Sequence, residues 1–402
     1  MTEGHGRAGT DRVRGRASHA LEGYMETKSS EAALARTPDG TSFGRFFLPG
    51  PTEVRPEVLG AQVRAMIGHR GADIKALMEK LQVGLKDVFR TERLVFLSSS
   101  SATGLMEAAA RNGVRRKALS LVNGAFSQRF AQIVEACSLE SERYEVPWGE
   151  VHDPQVIRDR LGRGGIDAIT VVHSETSTGA LNPIEEISKV AHEFDDVVIL
   201  VDSVTGVAGA ELWSDRWRLD FVLTGSQKAL ALPPGLAFAV ASERMMARSR
   251  AARNKGIYFD LLQFQKSQEQ MQTPNTPALS VMYALDVQLE RITAETLEGR
   301  WERHRAMRET TVKWVEEMRA DKGIGLSVLA PEGFRSPTVT AVTMPERRSS
   351  VPVVAALKKA GIVIGGGYGK LKELTFRIGH MGDHTVTELE VVLDALEEVL
   401  TG

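Results

Sequence analysis

"VVILVDSVTG", residues 197–206, runs through five aliphatic side chains in a row and then stops on Asp202. A strand with one wet face alternates apolar and polar residues. A run with no alternation predicts a strand covered on both faces, as in a mostly parallel sheet. A carboxylate at the end of such a strand is partly desolvated and calls for a cationic partner, unless it caps the next turn. The same texture recurs in "LVFL" (94–97), "ALSLV" (118–122), "DAITVV" (167–172), "DFVLT" (220–224) and "LAFAVA" (236–241). Between these runs, helical spacing covers Thr103–Asn112, Phe126–Cys137 and Pro183–Phe194, with Asn182 as N-cap and Pro183 as the first helical residue of the last. Strands alternating with helices predict an α/β fold whose ligands meet the C-terminal ends of the strands.

Working outward, residues 43–297 read as a large domain and 298–402 as a smaller α+β domain. The long helical stretch after Ser280 is expected to break near Gly299. Residues 1–42 are rich in Gly, Arg and small polar residues, lack the apolar segment of a secretion signal, and read as a disordered tail. A nucleic-acid-binding arm is the sharper alternative for them. The 402 residues carry 50 basic and 52 acidic side chains, a balance that gives no reason to expect a nucleic-acid partner. No apolar run approaches the ~18 residues of a membrane span. The single cysteine, Cys137, excludes a disulfide framework within the chain and fits a reducing, cytoplasmic setting. It is expected to be a buried packing residue rather than a catalytic thiol.

Two more strand ends carry chemistry. In "FLSSSSATGLMEAA" (96–109) a strand runs into a loop of hydroxyls and a helix start near Thr103. Backbone N–H groups there suit a phosphate, although a capped helix start explains the pattern equally well. In "VLTGSQKALALPPGLAF" (222–238) a lone lysine, Lys228, sits among alanines and leucines. An ammonium in apolar company has a lowered pKa, and its neutral amine attacks carbonyls. A phosphate site, a strand-end aspartate and a desolvated lysine are together what pyridoxal 5′-phosphate requires: an anchor, a partner for the pyridine nitrogen, and a Schiff-base amine.

At these residues the chain resembles the class V aminotransferases of fold type I, in the alanine–glyoxylate and serine–glyoxylate (serine–pyruvate) branch. The resemblance runs from about Phe47 to the C-terminus through "FLPGPTEV", "SATGLMEAA", "VNGAF", "HSETSTGALNP", "VDSVTG", "GSQKALALPPGLA", "TPALSVMYAL" and "FRIGHMG". It implies that Lys228 is the Schiff-base lysine and proton carrier and that Asp202 pairs with the pyridinium nitrogen. Val204 would lie against the ring face. Ser101, Ala102, Thr103 and Gln227 would hold the phosphate, and Thr176 would contact the ring's polar edge. Phe126 falls where the family often carries a stacking tryptophan. Arg377 would bind the substrate α-carboxylate as a bidentate fork, with Gly50 lining the substrate pocket. Thr276 would reach the phosphate from a neighbouring subunit, making the enzyme a homodimer with a shared site. Thr273 stands where many relatives place a tyrosine.

The implied reaction is a ping-pong transamination from alanine or serine to glyoxylate or pyruvate. No second basic residue is evident for a distal carboxylate, so 2-oxoglutarate is expected to be the poorer acceptor. The alternatives are an aspartate-donor transaminase, a lyase or desulfurase on the same fold, and a catalytically silent scaffold. Cys137 lies in a predicted helix, which disfavours a desulfurase. Elsewhere, His380, Asp383 and His384 have metal-ligand residue types but read as a loop into the last helix. "GIVIGGGYGK" lacks a dinucleotide-binding frame. His69 and Arg70 either edge the site or are solvated.

Overall fold

The computed structural model describes residues 43–402; the expectations for residues 1–42 lie outside the described residues. A seven-stranded sheet forms the centre, in the order 95–98, 237–241, 221–225, 198–202, 168–172, 117–122, 140–145. Only Ala237–Ala241 runs antiparallel to its neighbours; every other pairing is parallel. The apolar runs are explained by what covers them. Ile199 and Val201 face one hydrophobic cluster and Val198 and Leu200 the other, so no position along the strand meets water.

Glu140–Glu145 is a strand that apolar runs do not reveal. It is an edge strand whose one buried side chain is Tyr144, and its remaining positions stay polar. Asn182 does not act as N-cap of the helix Ile184–Ala191. Its amide instead donates to the Val172 carbonyl at 2.8 Å, pinning the end of a central strand. The long helical stretch divides at Thr296, which takes a positive φ of 67° and whose hydroxyl accepts from Gly299 N–H. The helices on either side are Leu279–Glu295 and Leu297–Ala320.

A second, five-stranded sheet is built from 46–47, 363–366, 375–378, 340–343 and 327–328. Phe46 and Phe47 pair with Val363 and Ile364, so this early segment belongs to the second sheet although it precedes the first in sequence. Helices Leu297–Ala320, Val351–Lys359 and Val386–Thr401 pack on it around Phe376, Leu357 and Leu393. The chain entering the first sheet therefore passes the strand that carries Arg377 on its way, and this brings Gly50 next to Lys228.

Candidate active site

The C-terminal ends of the parallel strands open into one cavity of about 220 Å³. Strand Val95–Ser98 ends in the serine loop, and helix Ala102–Gly113 starts immediately after it. Ser101 occupies the N-cap position but makes no capping hydrogen bond, which leaves the first N–H groups of the helix open to a ligand. Ser101, Ala102 and Thr103 all line the cavity, as does Gln227.

Asp202 ends the central strand and is 2% exposed. Burial raises its carboxyl from the ordinary 3.8 to about 7, only partly opposed by the Val204 N–H donated to Oδ1 at 2.8 Å. This carboxylate lacks a positive partner strong enough to hold it ionised. Lys228 follows strand Phe221–Gly225 and is 7% exposed. Burial, reinforced by the charge of Arg377, lowers its amine to about 8. Nζ donates to the Pro49 carbonyl, and Phe126 presents its ring 5.9 Å away. Gly50 allows this approach: a Cβ there would fall 2.1 Å from Nζ.

Arg377 lies on strand Thr375–Ile378, with Nε donating to Gly366 O at 2.9 Å and Nη1 to Thr176 O at 3.1 Å. Burial lowers its pKa to about 10. It stands behind Thr176, whose hydroxyl is hydrogen-bonded to that of Thr205. Phe126, Thr176 and Val204 line the cavity with Gly50, Asp202 and Lys228. Of the site residues expected from the sequence, Arg377 stays outside the cavity lining, behind Thr176, and Thr276 stands apart from the group altogether. That threonine is exposed, in a loop where the buried Thr273 hydroxyl donates to Asn275 O at 2.7 Å.

The structure adds residues that sequence spacing did not flag. Glu175 is fully buried and accepts from Phe126 N–H, Ser127 N–H and both hydroxyls of Ser127 and Ser177, so it fixes the helix start that carries Phe126. Arg129, one turn beyond Phe126, lines the cavity. Tyr368, from the glycine-rich "GIVIGGGYGK", packs 5.5 Å from Phe126, centroid to centroid. Glu175 and Tyr368 reach Phe126 only through the fold, whereas Arg129 follows it at i,i+3 spacing on the same helix.

Other candidates settle elsewhere. His380 is hydrogen-bonded to Thr340 and Pro337, Asp383 to Arg300 and Gln288, and His384 stacks on Phe47. Arg70 holds the carbonyls of Thr273 and Pro274 and does not line the cavity. Cys137 packs against the hydrophobic cluster as expected, but at the end of its helix it is half-buried rather than fully buried; partial burial raises its thiol pKa.

A sequence model of the family described as aminotransferase class-V matches residues 57–373. The chain belongs to the class-V aminotransferase family. An uncharacterized aminotransferase of Methanocaldococcus jannaschii is 40% identical over 361 residues, spanning 88% of this chain and 92% of that one. A Synechococcus protein named as the small subunit of a soluble hydrogenase is 33% identical over the same shares. Among solved structures, an alanine–glyoxylate aminotransferase from Nostoc superposes with a TM-score of 0.82 at 30% identity, covering 89% of this chain and 95% of that one. This aminotransferase is thus an α/β protein of fold type I, with a mixed sheet flanked by helices.

Proposed function

We propose that this aminotransferase uses pyridoxal 5′-phosphate to move an amino group from a small amino acid, alanine or serine, to glyoxylate or pyruvate in a ping-pong cycle. One observation carries the reading. A buried carboxylate held near neutral and a buried amine lowered to about 8 face one cavity beside an uncapped helix start. These residues fit the cofactor. Asp202 is a carboxylate short of a cation, and a protonated pyridine nitrogen supplies one. The open N–H groups at Ala102 and Thr103 suit a phosphate. When bound, the cofactor supplies a carbonyl for covalent attachment and an electron sink for the substrate carbanion.

The chain does the rest. Lys228 Nζ, deprotonated often enough near pH 8, would be the group that attaches the cofactor's carbonyl carbon, with water as the leaving group, and its free amine would carry the substrate Cα proton. A placed proton carrier of this kind is typically worth about 10²–10⁴-fold. Asp202 would hold the positive charge at the ring nitrogen. Phe126 would cover one ring face and exclude water. Arg377, already oriented by two carbonyls, presents its fork to the α-carboxylate.

A homodimer belongs to this reading. Val63, Met66 and Ile257 expose large apolar side chains that a second copy would cover, and Thr276 is free to reach the partner's site. No described helix is long and apolar enough to cross a membrane, and the single cysteine fits a cytoplasmic setting. The hydrogenase name of one relative finds no support here, since one cysteine cannot supply the set of thiolates that iron–sulfur clusters use.

Borohydride reduction followed by peptide mass analysis tests the assignment. The cofactor mass is expected on the peptide containing Lys228, and Lys228→Ala is expected to abolish both that adduct and steady-state turnover. Near wild-type turnover in Lys228→Ala would refute the reading.

A further inference from the structure

The glycine-rich segment 365–370, which forms no dinucleotide-binding frame, touches the walls of the active site from outside. Gly365 lies against Pro49, where a Cβ would fall 2.7 Å from the proline Cδ, and the Pro49 carbonyl is the one that accepts from Lys228 Nζ. Gly366 O accepts from Arg377 Nε at 2.9 Å. Tyr368 packs on Phe126 with ring centroids 5.5 Å apart, and its hydroxyl accepts from Arg129 Nη2 at 3.3 Å. The Arg377 guanidinium lies 5.6 Å from the centroid of the same tyrosine ring. Further along, Lys370 Nζ sits 4.5 Å from the centroid of the Trp148 ring. The segment begins at the end of strand Val363–Gly366, in the second sheet. Phe126 and Arg129 instead lie on helix Ala125–Ala136, which packs through Phe130 and Val134 on the cluster that contains Val198 and Leu200 of the first sheet.

Phe126 and Arg129 both line the cavity, with the guanidinium 5.1 Å from the Phe126 ring centroid. Their inner sides form the cavity wall, so Tyr368 backs them from the other side. An arginine side chain loses several rotamers when it is ordered. A partner held by the fold removes that freedom before a ligand arrives, and the ligand then binds without meeting the cost of ordering the wall. We propose that Tyr368 is a positioning residue for the cofactor, seating the Phe126 ring and the Arg129 guanidinium as a preformed wall of the cavity. Tyr368 does not itself line the cavity, so it acts through these two side chains. The inference deepens the pyridoxal 5′-phosphate reading of the site and rests on it. At 36% exposed, Tyr368 is peripheral to the core, so replacing it leaves the packing of both sheets intact.

The test titrates pyridoxal 5′-phosphate into each protein after removal of bound cofactor and follows visible absorbance, comparing wild type with Tyr368→Ala, Tyr368→Phe and Lys370→Ala. Tyr368→Ala loses both contacts and is expected to raise the dissociation constant about 10-fold or more, whereas Tyr368→Phe keeps the ring pair and is expected to raise it about 3–5-fold. Lys370→Ala removes a contact of the same segment that does not reach Phe126 or Arg129, and is expected to bind cofactor as wild type does. Visible circular dichroism of the bound cofactor reports how firmly its ring is seated, which a merely structural role would not change. That signal is expected to shrink in Tyr368→Ala and to be largely restored in Tyr368→Phe. Adding Tyr368→Phe to Arg129→Gln is expected to cause no further loss of affinity, because the hydroxyl acts through Arg129. Urea unfolding of the cofactor-free proteins checks that the variants fold, and Tyr368→Phe decides alone where Tyr368→Ala does not. Wild-type affinity in either folded tyrosine variant overturns the proposal. So do an equal loss in Lys370→Ala and additive losses in the Arg129–Tyr368 pair. If wild-type protein binds no pyridoxal 5′-phosphate, the underlying functional reading fails, and that is known before any variant is compared.

Discussion

Replacing Gly50 by alanine tests how closely the site depends on the early loop. Gly50 has φ of 108°, a backbone conformation that L residues rarely adopt. Forcing alanine into it costs roughly 1–2 kcal/mol. The larger effect is local. The new Cβ would fall 2.1 Å from Lys228 Nζ, 2.4 Å from Cε and 2.5 Å from Cδ. Ordinary contact between such atoms begins near ~3.5 Å, so the lysine tip must withdraw by about 1.4 Å. Displacing a reacting group by about 1 Å is enough to lose about 10²-fold in rate. Gly50→Ala is therefore expected to lower turnover by about 10²-fold or more while costing no more than a few kcal/mol of stability. Urea unfolding measures the second quantity and single-turnover kinetics with saturating cofactor the first. Borohydride trapping shows whether Lys228 still attaches the cofactor. Turnover within about threefold of wild type would refute the argument, because it would mean that the lysine is not held where Gly50 allows it to be.

Two further variants probe the electrostatics. The carboxyl of Asp202 is raised from 3.8 to about 7 by folding, so its contribution is fully present below pH 3.8 and is lost as pH rises through about 7. Above that, cofactor-free Asp202→Asn is expected to be more stable than wild type, by at most roughly 4 kcal/mol from the difference of about 3.2 pH units. The same variant should bind cofactor more weakly. Urea unfolding of the cofactor-free proteins at pH 5 and pH 8 checks this, and a gap that does not widen with pH would contradict it. Separately, Asp383 accepts from Arg300 at 2.8 Å and from Gln288 at 3.0 Å, and Arg300 is 1% exposed. Asp383→Ala leaves Arg300 with Glu295 as its remaining carboxylate, at 2.9 Å, and is expected to cost about 1–3 kcal/mol. A loss below about 1 kcal/mol in urea unfolding would show that the network linking the two long helices to the loop after Arg377 is dispensable.

Much of the site was legible because its parts are local. Asp202, Lys228 and the Ser101–Thr103 turn each follow a continuously apolar run, and such a run ends where a parallel sheet presents its ligand edge. What stayed hidden is non-local. Glu140–Glu145 is a strand only because it has an edge to pair with, and its polar residues conceal it. Phe46 and Phe47 join a sheet whose other strands come some 300 residues later, so no window along the chain could assign them. Asn182 looked like a helix cap because its neighbours are cap-like, whereas its side-chain oxygen is engaged by His152 and Asn123 and its amide N–H by a strand-end carbonyl. Arg129 and Tyr368 carry no motif of their own, and only packing brings them together.

The sequence by itself determined which functional groups this protein places at its strand ends, because apolar runs, turns and helix starts are short-range patterns. The tertiary structure alone decided what those groups can do. Burial raises Asp202 and lowers Lys228, and that depends on how completely distant segments exclude water from both. The facing of two guanidiniums across Tyr368 likewise exists only once the second sheet has closed against the first.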